Sequence, residues 1–180
     1  MITIRSGIFK NKRLQTPETD VRPTSDKIRQ AIFNVLMHAE FAPSLIDAKI
    51  LDAFAGTGAM GLEAISRGAA HGWFLEKNPA VKKILQENLK ITDCATLLNT
   101  DALQPPQAPE EMDLIFLDPP YGQDLITPAL TALLNMGWIG HNTLLVIESD
   151  ADENIQLPDL FQIINTRSYG RTAIRFAGLA

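Results

Sequence analysis

The sequence predicts an α/β fold in which a seven-stranded, mostly parallel sheet ends in an antiparallel hairpin. From residue 48 onward, short apolar segments alternate with segments whose apolar residues recur every three to four positions, as strands and helices do. Strands that are apolar throughout are typical of a parallel sheet covered on both faces. Near the C-terminal end, two strand-like segments flank the turn Tyr169-Gly170, which predicts the hairpin.

Residues 1–40 are expected to form a small extension to this fold. The segments ITIRS and KRLQT alternate in polarity and are separated by Gly7 and a lysine-rich turn, so they predict a short hairpin. Thr24 or Ser25 can cap a helix that runs to about His38 and carries its apolar residues on one stripe.

Residues 41–180 are expected to form the core of the same single domain, since a chain of 180 residues is long enough for one well-buried domain and short for two. The predicted parallel strands are residues 48–54, 71–76, 95–101, 112–118 and 142–149, and the hairpin strands are residues 161–168 and 171–178. The predicted helices are residues 58–67, 79–91 and 125–137.

The composition favours a globular protein of the cytoplasm. It is 46% hydrophobic and 21% charged, and no stretch approaches the roughly 18 apolar residues of a membrane helix. The N-terminal segment lacks the apolar core of a signal peptide, and the single cysteine, Cys94, has no partner for an internal disulfide. We therefore expect a cytoplasmic location and no membrane partner.

The charge is distributed unevenly along the chain. The net charge is −5, yet residues 1–30 carry seven Lys or Arg against three Asp or Glu. A basic arm on an acidic body predicts local attraction to phosphate groups. A solvated charged face on the N-terminal segment is the simpler alternative.

A glycine-rich loop follows the first predicted core strand. The sequence LDAFAGTGAMGLEA places Gly56, Gly58 and Gly61 between that strand and its helix. Glycines at such a turn let the backbone approach a ligand at a helix N-terminus. Their G-x-G-x-x-G spacing also occurs in dinucleotide-binding folds, so the loop alone does not identify the ligand.

Four acidic residues stand at the predicted carboxyl ends of strands, where open α/β sheets bind ligands: Asp52, Glu76, Asp101 and Asp118. Each alone is also compatible with a helix cap or a solvated loop. Asp52 suits a cationic group and would repel the pyrophosphate of a dinucleotide. Glu76 can accept both hydrogen bonds of a ribose diol, and Asp101, next to Ala102, can accept from an adenine amino group. An ammonium, a ribose and an adenine together describe S-adenosylmethionine.

The order of Asp52, the glycine loop, Glu76 and Asp101 resembles the cofactor site of class I methyltransferases, whose seven-stranded sheet ends in an antiparallel hairpin. The resemblance implies a Rossmann-like methyltransferase fold, with S-adenosyl-L-methionine as cofactor and S-adenosyl-L-homocysteine as product. No metal is expected, since no group of residues has metal-ligand spacing. A dehydrogenase is the alternative that Asp52 argues against.

The stretch FLDPPYGQD contains the candidate catalytic residues Asp118, Pro119, Pro120 and Tyr121. An exocyclic base amine is a poor nucleophile because its lone pair is delocalised into the ring. Asp118 and the carbonyl of Pro119 can accept its N–H hydrogens and direct the lone pair at a methyl group, while Pro120 restricts that carbonyl. Tyr121 offers a ring on which a base can stack. The motif matches that of amino-directed methyltransferases of nucleic acids and of protein glutamine; a plain proline-rich turn is the alternative.

Segments along essentially the whole chain resemble the RsmD family, bacterial methyltransferases that modify the exocyclic N2 of a guanine in small-subunit ribosomal RNA. These segments are IRSGIFKNKRL, VRPTSDKIRQAIFNVL, ILDAFAGTGAMGLEAISRGA, FLEKN, DAL, DLIFLDPPYG and YGRTAIRF. The long RPTSDKIRQAIFN block is much more specific than the glycine loop or DPPY.

The resemblance also implies site residues. The cofactor would be held by Asp52, Phe54, Gly56, Thr57, Gly58, Glu76, Lys77, Asp101 and Ala102, with Arg22, Pro23 and Thr24 bordering cofactor and base. The RNA would meet Arg5, Lys10, Lys12, Arg13 and Arg22. This chain has Asn11 where the family usually has a glycine in the hairpin turn, and asparagine tolerates a positive φ better than most residues.

The leading hypothesis is a monomeric enzyme that methylates guanine N2 in 16S rRNA within a partly assembled small subunit, where RNA shape contributes to specificity. An adenine-N6 DNA methyltransferase would share DPPY but would be expected to carry a target-recognition domain. A protein-glutamine methyltransferase suits the basic arm less well. A non-catalytic nucleic-acid-binding module would have no evident need for Asp118 beside an intact cofactor set.

Overall fold

The computed structural model describes residues 2–17 and 26–180. The extension contains the strands β1 (Ile2–Thr3) and β2 (Arg13–Leu14) and the helix α1 (Asp26–His38). The core follows as β3 (Lys49–Asp52), α2 (Ala59–Ser66), β4 (His71–Leu75), α3 (Pro79–Leu89), β5 (Ala95–Leu98), β6 (Leu114–Leu117), α4 (Ile126–Asn135), β7 (Leu144–Asp150), β8 (Phe161–Tyr169) and β9 (Thr172–Leu179). The proposed cap of α1 at Thr24 or Ser25 lies outside the described residues.

The core strands form one seven-stranded sheet in the order β5-β4-β3-β6-β7-β9-β8. The first five strands are parallel, and β9 pairs antiparallel with both β7 and β8. The predicted architecture and its terminal hairpin are therefore confirmed. The predicted strand 95–101 was too long, because the chain turns after Leu98, where the Thr100 amide donates back to the Leu98 carbonyl at 2.9 Å.

Successive side chains of the parallel strands pack alternately into two separate hydrophobic cores. Ile50, Phe74 and Phe116 pack on one face of the sheet with α1, α2 and α3. Leu51 and Ile115, their immediate neighbours in the chain, pack on the other face with α4. Because both faces are covered, these strands carry no polar alternation, which is why they read as continuous apolar segments in the sequence.

The second face has no helix other than α4 among the described elements, and loops complete its cover. Trp138 is fully buried there, and its indole N–H donates to the Pro106 carbonyl at 2.8 Å. The Met112 amide donates to the Trp138 carbonyl at 3.0 Å. The long connection from β5 to β6 is thus tied to the segment after α4 by hydrogen bonds as well as by apolar contact.

The N-terminal hairpin is shorter than the sequence predicts, with two paired residues in each strand. Asn11 occupies the turn with φ 70°, so asparagine does adopt the left-handed conformation that a glycine would take. The Asn11 amide donates to the Ile4 carbonyl at 2.9 Å. Ile4 and Leu14 are buried against α1 and α2, which makes the hairpin part of the first core.

Polar groups at the end of α2 hold the hairpin in place. The Ile8 amide donates to the Ser66 carbonyl at 2.8 Å, and the Phe9 amide donates to the Ser66 hydroxyl at 2.9 Å. Buried Glu63 accepts from the Arg5 amide at 2.7 Å and from Arg67 Nε at 2.8 Å. The bond to the Ser66 carbonyl satisfies one of the acceptors that every helix leaves open at its C-terminus.

Gly7 permits this close approach. It has φ +79°, and a Cβ at this position would lie 1.6 Å from the Ser66 carbonyl oxygen. Gly170, in the β8–β9 turn, has φ +63° but open space around it. The two glycines therefore share the conformational requirement and differ in the steric one.

We expect Gly7→Ala to lower the free energy of unfolding by clearly more than Gly170→Ala. Both substitutions carry the penalty of about 1–2 kcal/mol for a side chain in the left-handed region. Only Gly7→Ala must also separate the hairpin from α2, which breaks the bonds to Ser66. Urea unfolding measures both variants, and equal losses would contradict the close packing at Gly7.

Candidate active site

The parallel register gathers acidic residues at one edge of the sheet. Asp52, the last residue of β3, pairs with Phe74 on β4 and with Phe116 on β6. Glu76 and Asp118 each stand two residues beyond those partners, directly after their strands. The charges of both act on the Asp52 carboxyl. The structure thus brings together three of the four predicted acids.

Asp52 is deeply buried, with 3% of its surface exposed. Its Oδ2 accepts a hydrogen bond from the Gly61 amide at 3.0 Å, on the first turn of α2. Burial raises the pKa of Asp52 to about 8, opposed by that hydrogen bond and reinforced by the charges of Asp118 and Glu76. A cationic ligand group beside Asp52 would favour its ionised form.

The glycine loop runs from Asp52 into the first turn of α2, and its glycines meet two different requirements, one conformational and one steric. Gly56 and Gly58 have φ +53° and +79°, conformations that L side chains rarely adopt. A Cβ at Gly61 would lie 2.3 Å from the Phe74 ring, so Gly61 allows α2 to pack closely on β4. The Gly58 amide donates to the Ala55 carbonyl at 2.7 Å, which closes the turn.

Glu76 links the glycine loop to the start of α3. Its Oε2 accepts from the Gly56 amide at 3.0 Å, and its Oε1 accepts from the Asn78 amide at 2.7 Å. Asn78 in turn caps α3 by accepting from the Ala80 amide at 2.9 Å. A carboxylate has about four lone-pair sites, so each oxygen can still accept a ribose hydroxyl.

Asp101 lies three residues beyond β5 and is paired with a predicted site residue. Its Oδ2 accepts from Lys77 Nζ at 2.8 Å, and its Oδ1 accepts from the Leu103 amide at 3.0 Å. Burial acts to raise the pKa of Asp101, but the Lys77 and Leu103 hydrogen bonds and the Lys77 charge outweigh it and lower the pKa. Asp101 is therefore held as an anion, and adjacent Ala102 is buried.

The stretch Asp118 to Tyr121 follows β6 directly. Pro119 is buried, Pro120 is exposed, and Tyr121 is 42% exposed. The Tyr121 hydroxyl donates to Glu148 Oε1 at 2.8 Å. Burial and the Glu148 charge raise the pKa of Tyr121, so the phenol keeps its proton and remains a donor.

Glu148 is the site residue that sequence reasoning missed. It lies in β7, is 6% exposed, and comes next after the apolar residues that pair with β6. A carboxylate in the strand adjacent to DPPY was the available signal, because the carboxyl ends of parallel neighbours meet at one edge. Glu148 was not identified because it follows four apolar residues in LLVIES and was assigned to the strand alone.

The residues predicted to contact RNA differ in their surroundings. Three of them lie on the hairpin and are exposed: Lys10, Lys12 and Arg13. The Arg5 guanidinium forms an ion pair with Asp26 at the start of α1. Arg22, Pro23 and Thr24 lie outside the described residues.

The tip of the hairpin lies at the far end of α2 from the glycine loop, since Ser66 is the last residue of that helix. Eight helical residues span about 12 Å. Lys10 and Lys12, next to this tip, therefore stand away from Asp118, and one ligand that reaches both must be large.

None of the helices that the structure describes has the length and apolar character of a membrane-spanning segment.

The sheet order, the glycine loop after the first parallel strand and the acids at the carboxyl edge define a class I methyltransferase. Similarity to known proteins indicates the family within this class to which the chain belongs. Residues 2–178 match the family model described as conserved hypothetical protein 95.

Ribosomal RNA small subunit methyltransferase D of Escherichia coli is 32% identical over 97% of this chain and 88% of its own length. The protein of the same name from Haemophilus influenzae is 30% identical over 97% and 92%. The solved structure of the Escherichia coli protein yhhF superposes with a TM-score of 0.85 and 29% identity, covering 99% of this chain and 97% of that one. The chain belongs to this family, the RsmD family, and is an S-adenosylmethionine-dependent methyltransferase.

We expect Asp52→Asn to stabilise the protein more at pH 9 than at pH 5. The pKa of Asp52 is about 8 in the folded protein and about 4 in the unfolded chain, so between these values the folded protein binds more protons. The free energy of unfolding must then fall as pH rises through this interval, with a slope of at most about 1.4 kcal/mol per pH unit. Asparagine cannot ionise and removes this loss.

Urea unfolding of the two proteins at both pH values measures the difference. Asp113→Asn is a control at a partly buried aspartate away from the site, which accepts from the Lys49 amide. The same stability difference at pH 5 and pH 9 for Asp52→Asn would show that Asp52 has an ordinary pKa.

Proposed function

We propose that this protein transfers the methyl group of S-adenosyl-L-methionine to the exocyclic N2 of a guanine in the 16S rRNA of the small ribosomal subunit. The observation that carries the proposal is the placement of Asp118-Pro119-Pro120-Tyr121 beside Asp52, across the β3–β6 pair. An amine-directed motif therefore adjoins the cofactor edge. The substrate follows from the relatives, which are named for methylation of small-subunit ribosomal RNA.

The chemistry requires acceptors for the amine hydrogens. In a base, the N2 lone pair is delocalised, and hydrogen bonds from both N–H groups to acceptors favour a more pyramidal nitrogen. The Asp118 carboxylate and the Pro119 carbonyl are the two acceptors. Pro120 restricts the residue before it to extended conformations, which limits where that carbonyl can point.

Tyr121 is the stacking platform for the target base. Its hydroxyl is held by buried Glu148, so the ring is restrained at the tip as well as at its backbone. A restrained ring loses less freedom when a base stacks on it, which lowers the entropy cost of binding. Stacking contributes about 1–3 kcal/mol per base in nucleic-acid complexes.

The cofactor site comprises the glycine loop with its neighbours on β3, β4 and β5. When bound, S-adenosyl-L-methionine would supply a methyl group on a sulfonium and would leave as an uncharged thioether, and the methylated amine would lose one proton. Buried Asp52 faces positive charge, Glu76 accepts from the ribose, and Asp101, already anionic, accepts from the adenine amine. The remaining proposed cofactor contacts are Phe54, Gly56, Thr57, Gly58, Lys77 and Ala102, and by the family resemblance Arg22 and Thr24 border the cofactor. The proposed transfer needs no metal, because the sulfonium supplies the leaving group.

The RNA surface extends from the catalytic loop to the hairpin. The exposed hairpin residues Arg5, Lys10, Lys12 and Arg13 meet backbone phosphates, and by the family resemblance Arg22 borders the cofactor and the target base. Because the hairpin tip lies beyond the far end of α2, the RNA must span that distance, which favours a folded target. Residues 1–40 are the RNA-binding extension of a single domain, and 41–180 its catalytic core. The protein acts as a cytoplasmic monomer on a partly assembled small subunit.

Tritiated S-adenosyl-L-methionine should label 16S rRNA in small-subunit particles that lack the modification, and mass spectrometry of the digest should place the methyl group on guanine N2. The Asp118→Ala variant should transfer almost no label, since one of the two acceptors is gone, while calorimetry shows that it still binds S-adenosyl-L-homocysteine. Label confined to DNA or protein would overturn the substrate. Near-normal turnover of the variant would remove Asp118 from catalysis.

Reversing the charges of Lys10, Lys12 and Arg13 together should weaken RNA binding and flatten its dependence on salt. Each lost phosphate contact reduces the slope of log K against log salt by about 0.7 to 0.9, so the three together reduce it by about two to three. A control variant that reverses Lys83, Lys90 and Arg167, which are exposed elsewhere, changes the net charge equally. Equal slopes for the two variants would assign the hairpin residues to a solvated surface.

A further inference from the structure

Asn88 connects the N-terminal extension to the glycine loop. It lies on α3, is 5% exposed, and uses its side-chain amide three times. Its Oδ1 accepts from the Gln15 amide at 2.7 Å, and its Nδ2 donates to the Gln15 carbonyl at 3.0 Å and to the Thr57 carbonyl at 2.9 Å. One buried side chain therefore bonds two segments that are distant in sequence.

On the extension side, Asn88 acts as a strand partner. Gln15 directly follows β2, and both of its backbone groups are bonded to the Asn88 amide. Primary amides can satisfy an N–H and a C=O of one residue at once, as a neighbouring strand would. Removing the amide leaves partly buried backbone groups without a partner, which is more costly than the mean value of a hydrogen bond.

On the cofactor side, Asn88 fixes one peptide plane of the glycine loop. The Thr57 carbonyl accepts from Asn88, while the amide of the same peptide, at Gly58, donates to the Ala55 carbonyl at 2.7 Å. Both ends of the peptide are thus held. Gly58 itself leaves no space on the side of α3, since a Cβ there would lie 2.6 Å from Leu85.

We propose that Asn88 is a positioning residue that links RNA binding to cofactor binding. A cofactor that further restricts the Thr57–Gly58 peptide also restricts the Asn88 amide bonded to it, and through that amide Gln15 and the hairpin that meets RNA. The inference rests on the proposed function, which places cofactor at the loop and RNA at the hairpin. Linkage is reciprocal, so RNA must tighten cofactor binding by the same factor.

The test is the dissociation constant of S-adenosyl-L-homocysteine with and without saturating unmodified small-subunit particles. In the native protein the particle should tighten binding about five-fold or more, the lower end of the usual range for linked sites. In Asn88→Leu, which keeps the branching at Cγ but loses the amide, the ratio should fall towards one. Gln86→Ala, an exposed change on the same helix, should retain the native ratio.

A ratio of one in the native protein, or a native ratio in Asn88→Leu despite a lower melting temperature, overturns the inference. Methyl transfer to the same particles separates the two proposals, because transfer with a ratio of one refutes the linkage alone, and no transfer refutes the proposed function.

Hydrogen exchange of the native protein decides the matter if Asn88→Leu does not fold. S-adenosyl-L-homocysteine alone should slow exchange of the Gln15 amide, which donates to Asn88. Unchanged exchange at Gln15, while the glycine loop becomes protected, overturns the linkage.

Discussion

The parallel register of β4, β3 and β6 is the constraint on which the site depends. Pairing Asp52 with Phe74 and Phe116 places the residues that follow each strand at one edge, whatever their separation in sequence. A slip of one residue would exchange the two faces of a strand, and the two apolar cores exclude it. The position of the acids is therefore determined by the packing of apolar side chains.

The gathered acids work against stability and in favour of binding. Asp52 is buried and feels the charges of Asp118 and Glu76, and its raised pKa expresses the free energy stored by that placement. Perturbed carboxyls of this kind concentrate at functional sites. The glycine loop limits the penalty, because the Gly61 amide supplies a hydrogen bond to the carboxylate. A cationic ligand would relieve the remainder.

The extension is attached by buried polar groups more than by strand pairing, since its ladder contains two residue pairs. Arg29, 1% exposed, donates to the Thr3 carbonyl at 2.6 Å and to Asp26 at 2.7 Å. Ser66 and Asn88 hold the tip and the exit of the hairpin. Polar contacts require defined geometry, so they specify where the hairpin lies on α2 and α3. A basic arm held in this way has a defined position on the enzyme surface.

Local sequence was sufficient for the architecture, for the glycine loop and for three of the four acids at the strand ends, because strand period, glycine spacing and apolar runs are properties of neighbouring residues. The left-handed turn at Asn11 was anticipated from the glycine that the RsmD family usually has there and from the tolerance of asparagine for a positive φ. The bond from Tyr121 to Glu148, the bridge at Asn88 and the pairing of Asp101 with Lys77 were not. Each joins segments whose proximity arises only when the sheet is assembled and the helices pack on it, and no periodicity in the chain encodes such a contact.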